Sequence, residues 1–123
     1  MTISSQPINC VFLGTSSFAV PTLRALAQAT EASVAAVYTQ PDQPAGRGRR
    51  PRPSPVKEAA EELGLPVVQP ERLRAPEEVD RLRSFEPAVL ILAAYGQILP
   101  ARILEVPPHG GLNVHPSLLP RHR

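Results

Sequence analysis

Residues 88–96, "AVLILAAYG", decide how this chain folds. Eight apolar residues follow one another before the glycine. A strand with one wet face alternates apolar and polar side chains, whereas a strand without alternation is buried on both faces, as in a parallel sheet covered by helices. The run is also far short of the ~20 residues that a helix needs to cross a bilayer.

Working outward from this strand, the same punctuation recurs. Residues 8–13, "INCVFL", form a short apolar run closed by Gly14. Residues 19–29, "AVPTLRALAQA", bring Val20, Leu23, Leu26 and Ala27 to one helical face, with Pro21 in the first turn where its missing N–H is no loss. Residues 33–39, "SVAAVYT", read as a second buried strand. Together they predict a βαβ unit with parallel strands and a right-handed crossover. Downstream, Pro55 opens a helix expected to reach about Leu63 and to stop at Gly64; "PVVQP" is a short strand. The segment "APEEVDRLRSF" sets Val79, Leu82 and Phe85 on one helical face. A helical turn over residues 100–104 leads to a last strand, "GLNVH", at 111–115. This alternation predicts an open, doubly wound, mostly parallel α/β sheet with ligands outside the carboxyl ends of its strands.

With 123 residues the chain is sized for one domain. An apolar fraction of 42% and a charged fraction of 20% argue against general disorder. Proline stands out at 16 residues, well above the usual ~5%, and falls mostly between apolar runs as punctuation. Residues 40–55, "QPDQPAGRGRRPRPSP", show no periodicity and read as one long exposed loop. The formal charge is +2, and Arg47, Arg49, Arg50 and Arg52 all lie in this loop, so the basicity is local. Cys10 is the single cysteine and lies in an apolar run, which excludes an internal disulfide and fits a reducing, cytoplasmic setting. The first residues lack the basic and long apolar regions of a secretory signal. His109, His115 and His122 do not form a metal motif, so no metal is expected.

The chemistry-bearing residues fall at the expected strand ends. Asn113 and His115 are two apart, so an extended backbone turns both to one face. An Asn amide donates hydrogen bonds without changing charge, and a His with an ordinary pKa of ~6.5 exchanges protons at neutral pH. The pair suits acyl transfer through a tetrahedral intermediate, with direct attack by a substrate amine because no activated Ser or Cys accompanies it. The bland alternative is that both bond neighbouring backbone. "SLLPR", 117–121, is either a rigid substrate-holding turn or an ordinary loop with two core leucines. The arginine loop suits phosphate, since each guanidinium is a planar fork and Gly46 and Gly48 let backbone approach closely; a solvated loop is the alternative. No aromatic residue is interleaved there for base stacking. Tyr95 and Gly96 end the best strand, where a flat ligand could lie against backbone or the chain could simply turn. "GTSSF" at 14–18 carries only one glycine of a dinucleotide-binding loop.

Taken together, "FLGTSSFAVPTLRAL", "VYTQPDQPAGRGRRPRPSPVKEAA", "PVVQPERL", "AAYGQILP" and "GLNVHPSLLPR" resemble, in order and wording, the methionyl-tRNA formyltransferase family over nearly the whole chain. The resemblance implies a Rossmann-like domain that moves a formyl group from 10-formyltetrahydrofolate to the amine of charged initiator tRNA in the cytoplasm. Carried over by position, Asn113 and His115 match two of three catalytic residues. Ala94, Tyr95, Gly96, Gln97, Ile98 and Leu99 match a segment lining the pterin pocket. Ser117, Leu118, Leu119 and Pro120 match a turn beside the folate, and Arg47, with Arg49 and Arg50, matches the loop that engages the tRNA acceptor stem. Ser16, Ser17 and His122 depart from the family pattern, which has Pro-Asp and an aromatic residue there. The third catalytic residue of the family, an Asp, would lie beyond Arg123. Residues 1–123 are therefore expected to be the N-terminal part of the catalytic domain, inactive alone, of a protein that is monomeric when complete. The competing expectations are a relative that formylates a small amine, such as a nucleotide sugar or glycinamide ribonucleotide, and a non-catalytic polyanion- or nucleotide-binding α/β module.

Overall fold

A computed structural model describes residues 6–44 and 51–115. Five strands, β1 (Ile8–Gly14), β2 (Ala32–Tyr38), β5 (Val67–Val68), β6 (Val89–Ala93) and β7 (Gly111–Asn113), form a sheet in the order β5-β2-β1-β6-β7. All four pairings are parallel. Helices α1 (Val20–Gln28) and α2 (Pro55–Glu62) cover one face, and α3 (Glu77–Ser84) and α4 (Ala101–Leu104) the other. The expected doubly wound α/β architecture is present.

Alternation along β1 divides the core. Cys10 and Phe12 pack with Leu23, Val56, Ala59 and Ile91 under α1 and α2. Val11 and Leu13 pack with Tyr38, Leu82, Leu90 and Ile103 under α3 and α4. Each fully buried side chain of this size stabilises by about 1.5–3 kcal/mol, so the two layers together carry the fold. Asn9 looks out of place in so apolar a strand. Its amide donates to the carbonyls of Phe85 and Glu86, both at 2.8 Å, and so caps the carboxyl end of α3.

The helix ends follow the expected chemistry. Ser54 accepts from the Lys57 N–H at 2.9 Å and Pro55 occupies the first turn of α2. Gly64 then takes φ +73, while its N–H bonds the Glu61 carbonyl and the Leu65 N–H bonds that of Ala60, a Schellman ending. Three expectations are refined. Residues 17–19 form a separate 3-10 turn, capped by Ser16, ahead of α1. The loop expected over 40–55 contains an antiparallel ribbon, β3 (Gln43–Pro44) against β4 (Pro51–Arg52). Two-residue strands containing proline carry too little pattern to be read in advance. The last strand is shorter than its sequence signal, although the Val114 N–H still bonds the Leu92 carbonyl at 2.7 Å. Among the described residues no helix is long and apolar enough to cross a membrane.

Glu78 is 4% exposed, the one buried carboxylate among the described residues. Its Oε2 meets Arg81 at 3.4 Å, but its Oε1 and the buried hydroxyls of Tyr38 and Tyr95 lack hydrogen-bond partners among the described residues. Burial pushes the Glu78 carboxyl above its ordinary range, against the pull of Arg81 and with a small push from Glu77. The fold thus favours the neutral form, and the stability this contributes below the ordinary carboxylate pKa is lost as pH rises through the raised value. Glu78→Gln, neutral at every pH, is expected to match the wild type near pH 4 and to melt higher near pH 8. Thermal melts at both pH values decide this; a variant less stable than wild type near pH 8 would mean that the Arg81 pair outweighs desolvation.

Candidate active site

The chain leaves β1 toward β2 on one side, and later returns to place β6 on the other. The two strand ends therefore diverge, and the crevice outside them is where open α/β sheets bind ligands. Gly14 ends β1 with no room for a side chain, since a Cβ there would lie 2.8 Å from the Ala93 carbonyl oxygen. Just beyond, the Thr15 N–H donates to the Ala94 carbonyl at 3.0 Å, and the Thr15 hydroxyl donates to the Tyr95 carbonyl. The same hydroxyl oxygen accepts from the Gln40 N–H at 3.3 Å, so one threonine ties together the ends of β1, β2 and β6.

After Ala93 the chain folds back on itself. Ala94 takes a left-handed φ of +52, and Gly96 takes φ +106, a conformation that disfavours any side chain. This arch is held by Gln97. Its amide donates to Gln40 Oε1 at 2.7 Å and to the Pro70 carbonyl at 3.0 Å, and its Oε1 accepts from the Leu73 N–H at 2.9 Å. Gln97 thereby stretches from the end of β6 across to the turn that follows β5. Its polar atoms are used in holding the arch rather than left for a ligand.

A second set of bonds secures the flanks of the arginine segment. Asp42 accepts from Gln69 Nε2 at 2.7 Å, and Lys57 Nζ reaches both carboxylate oxygens at 3.1 Å. These donors, the Gln69 bond first, hold the Asp42 carboxyl below its ordinary range. Thr39, fully buried, shares a hydrogen bond with Ser54 at 2.6 Å. Ser54 thus caps α2 and fixes the strand end at once. Thr15, Gln40, Pro53 and Ser54 line a cleft of about 330 Å³ between these elements.

Sequence reasoning singled out Asn113 and His115, and the structure brings both to the carboxyl edge. Asn113 pairs alongside Leu92 on β6, and His115 follows Val114, whose N–H bonds the Leu92 carbonyl. Both are exposed, and neither side chain makes a hydrogen bond among the described residues. Among the described residues, neither side chain bonds neighbouring backbone. The segment 94–99 is split in its roles. Ala94, Gly96 and Ile98 are exposed, with Ile98 at 92%. Tyr95 is buried and Leu99 half-buried against the α3 and α4 layer, so at the site Tyr95 offers backbone and not its ring. Arg47, Arg49, Arg50, Ser117, Leu118, Leu119 and Pro120 lie outside the described residues. Thr15, Gln40, Asp42 and Gln69 carried no local signal, because their partners lie 15 to 80 residues away in sequence. Among the described residues, no group of three or more His, Cys, Asp or Glu is placed to hold a metal ion.

Comparison with known proteins agrees with this geometry. Residues 8–123 match the model of the formyl transferase family. The methionyl-tRNA formyltransferase of Methylococcus capsulatus is 58% identical over 116 residues, covering 94% of this chain and 37% of that protein. The protein of the same name from Geobacter metallireducens is 51% identical over 116 residues, with the same coverages. The chain thus spans little more than a third of the length of the curated relatives it matches. Among solved structures, glycinamide ribonucleotide transformylase 1 from Symbiobacterium toebii superposes with a TM-score of 0.68 at 20% identity, covering 98% of this chain and 57% of that one. Phosphoribosylglycinamide formyltransferase from Bacillus halodurans gives 0.63 at 22%, covering 91% and 58%. At such identities the likeness establishes the fold alone.

The Gln97 bonds give a test. Gln97→Ala removes three hydrogen bonds at about 1 kcal/mol net each, so a loss of roughly 2–3 kcal/mol is expected in urea unfolding. Gln97→Glu keeps the acceptor for Leu73 and loses both donated bonds, so it should recover only part of that loss. Wild-type stability in either variant would remove Gln97 from its place as the tie across the strand ends.

Proposed function

Because the chain belongs to the formyl transferase family, we propose that the complete protein transfers a formyl group from 10-formyltetrahydrofolate to the α-amine of methionyl initiator tRNA. It does so in the cytoplasm, as a monomer. The named relatives, methionyl-tRNA formyltransferases at 50–58% identity, support the choice of substrate over a small amine. The observation that carries the reading is the pair Asn113 and His115, exposed, free of hydrogen bonds among the described residues, and one strand away from the arch at 94–97.

In this reading the amine nitrogen bonds to the formyl carbon, the bond from that carbon to N10 of the donor breaks, and the proton lost by the amine ends on N10. His115 is fitted to carry that proton, its imidazole being open to solvent. Asn113 is fitted to donate to the oxygen that gains charge in the tetrahedral intermediate. A covalent relay through Cys10 is disfavoured by its place. Cys10 is buried within β1, where burial pushes its pKa up and away from the nucleophilic thiolate. A third, acidic catalytic group would come from the part of the relatives' length that this chain does not span.

The exposed arch fits the donor's flat ring system. Ala94 and Gly96 present backbone with little side chain, and Ile98 adds open apolar surface. The resemblance assigns the turn at Ser117, Leu118, Leu119 and Pro120 to the same ring. Arg47, Arg49 and Arg50 are proposed to hold acceptor-stem phosphates, with Asp42 and Lys57 anchoring the flanks of their segment.

The test is transfer of labelled formyl groups by the complete protein. Asn113→Ala is expected to lower kcat by about 10²-fold or more, with binding of the donor retained. His115→Ala should fall by at least about 10²-fold, again with donor binding intact. Unchanged turnover in His115→Ala would end its assignment as proton carrier. Arg47→Gln is expected to raise KM for the charged tRNA by a factor that shrinks as salt rises, while KM for the donor stays constant; a matching rise in both would count against the loop's role.

A further inference from the structure

The arginines of this chain divide into two groups. Among the described residues, Arg24, Arg81 and Arg83 each pair with a carboxylate on a helix, at Glu62, Glu78 and Asp80. Arg52, Arg72, Arg74 and Arg102 pair with no carboxylate among the described residues. Arg52 lines the cleft beside Thr15 and Ser54, while Arg72 and Arg74 line a second cleft of about 390 Å³ with Glu71, Gly96, Gln97 and Ile98. The unpaired charges thus gather at the carboxyl edge of the sheet.

The turn carrying Arg72 and Arg74 is not a loose tail. Leu73 between them is 1% exposed, and its N–H is held by Gln97. Arg102, from the start of α4, donates to the Arg74 carbonyl at 3.1 Å, which brings a third guanidinium to the same turn. Glu71 shares the cleft, yet among the described residues it forms no ion pair with any of the three. Arg72 and Arg74, exposed on a turn whose backbone is held, lack side-chain partners among the described residues, and Arg102 spends one bond on the Arg74 carbonyl, so their charge is left for something outside the protein.

From this we infer that Arg72, Arg74 and Arg102 form a second phosphate-binding surface, which grips the RNA backbone across the strand ends from the cleft of Arg52. The inference rests on the reading of the substrate as a charged tRNA. A phosphodiester backbone is the fitting partner: the cleft is wide and open, its charges are carried on separate forks, and no aromatic side chain lines it for stacking a base. Gly96 and Gln97 line this cleft, and Gln40, which Gln97 holds, lines that of Arg52, so an RNA end bound at both clefts would be drawn over the strand ends.

The experiment uses the complete protein, wild type and Arg72→Gln/Arg74→Gln, with a fluorescent acceptor-stem RNA hairpin as the probe and anisotropy read across a salt series. Two lost phosphate contacts are expected to weaken binding by about tenfold and to lower the slope of log K against log salt by about 2. Arg24→Gln, which breaks a helix ion pair away from this edge, should bind as wild type. Wild-type affinity and slope in the double variant would overturn the inference, as would no binding by any of the proteins. A rise in KM for the folate donor with RNA binding unchanged would also overturn it, assigning the cleft to the donor's carboxylates. Formyl transfer by the wild type is scored separately, so an active enzyme with an unaffected double variant fails this inference alone, whereas an inactive wild type fails the functional reading.

Discussion

The structure depends on how two parallel strands part company. β1 and β6 lie side by side, their chains leave in opposite directions, and nothing in a parallel ladder ties them beyond the last backbone bond. Gly14 lets the strand ends come within contact distance, and Thr15 closes the gap with bonds to Ala94, Tyr95 and Gln40. Gln97 then carries the tie on to the turn after β5. Without these bonds the carboxyl edge would be a row of loosely held loops. With them it is a surface of fixed shape.

This tie also sorts the polar residues by what they can do. Thr15, Gln97, Asp42 and Ser54 lie at the same edge as the proposed site, and each has its hydrogen bonds taken up by the protein. Asn113 and His115 are not so engaged among the described residues, nor are the guanidiniums of Arg52, Arg72 and Arg74. Desolvating a polar group without a partner is costly, so these buried polar groups at the edge are consumed by architecture, while the exposed ones keep their bonding capacity for a substrate. Placement at the edge does not separate the two sets, but hydrogen bonding does.

Much of this was legible in the sequence. The unbroken run at 88–96 reads as a strand buried on both sides, and β6 is that strand, ended three residues early because Ala94 turns left-handed and Tyr95 folds back into the core. Gly64 was legible as a helix stop because the ending it occupies requires a positive φ. Asn113 and His115 were legible because strand spacing is strictly local. The ties were not. Gln40 and Gln97 are 57 residues apart, and no local pattern distinguishes a glutamine that clamps two turns from one that faces water. Asn9 carried no signal for the same reason: the carbonyls that its amide caps at the end of α3 lie 76 and 77 residues away. Glu78 had a signal that went unused, since it stands four residues before Leu82 and so shares the buried face of α3.

The measurement closest to the central claim is hydrogen exchange of the complete protein, followed by mass spectrometry with and without a non-transferable folate analogue. Slowed exchange is predicted over residues 94–99 and around Val114 and His115, with the amino-end cleft beside Ile8 and Glu31 unchanged. If exchange at 94–99 stayed the same while the analogue bound, the ligand would lie elsewhere, and the arch at the strand ends would be architecture without a site.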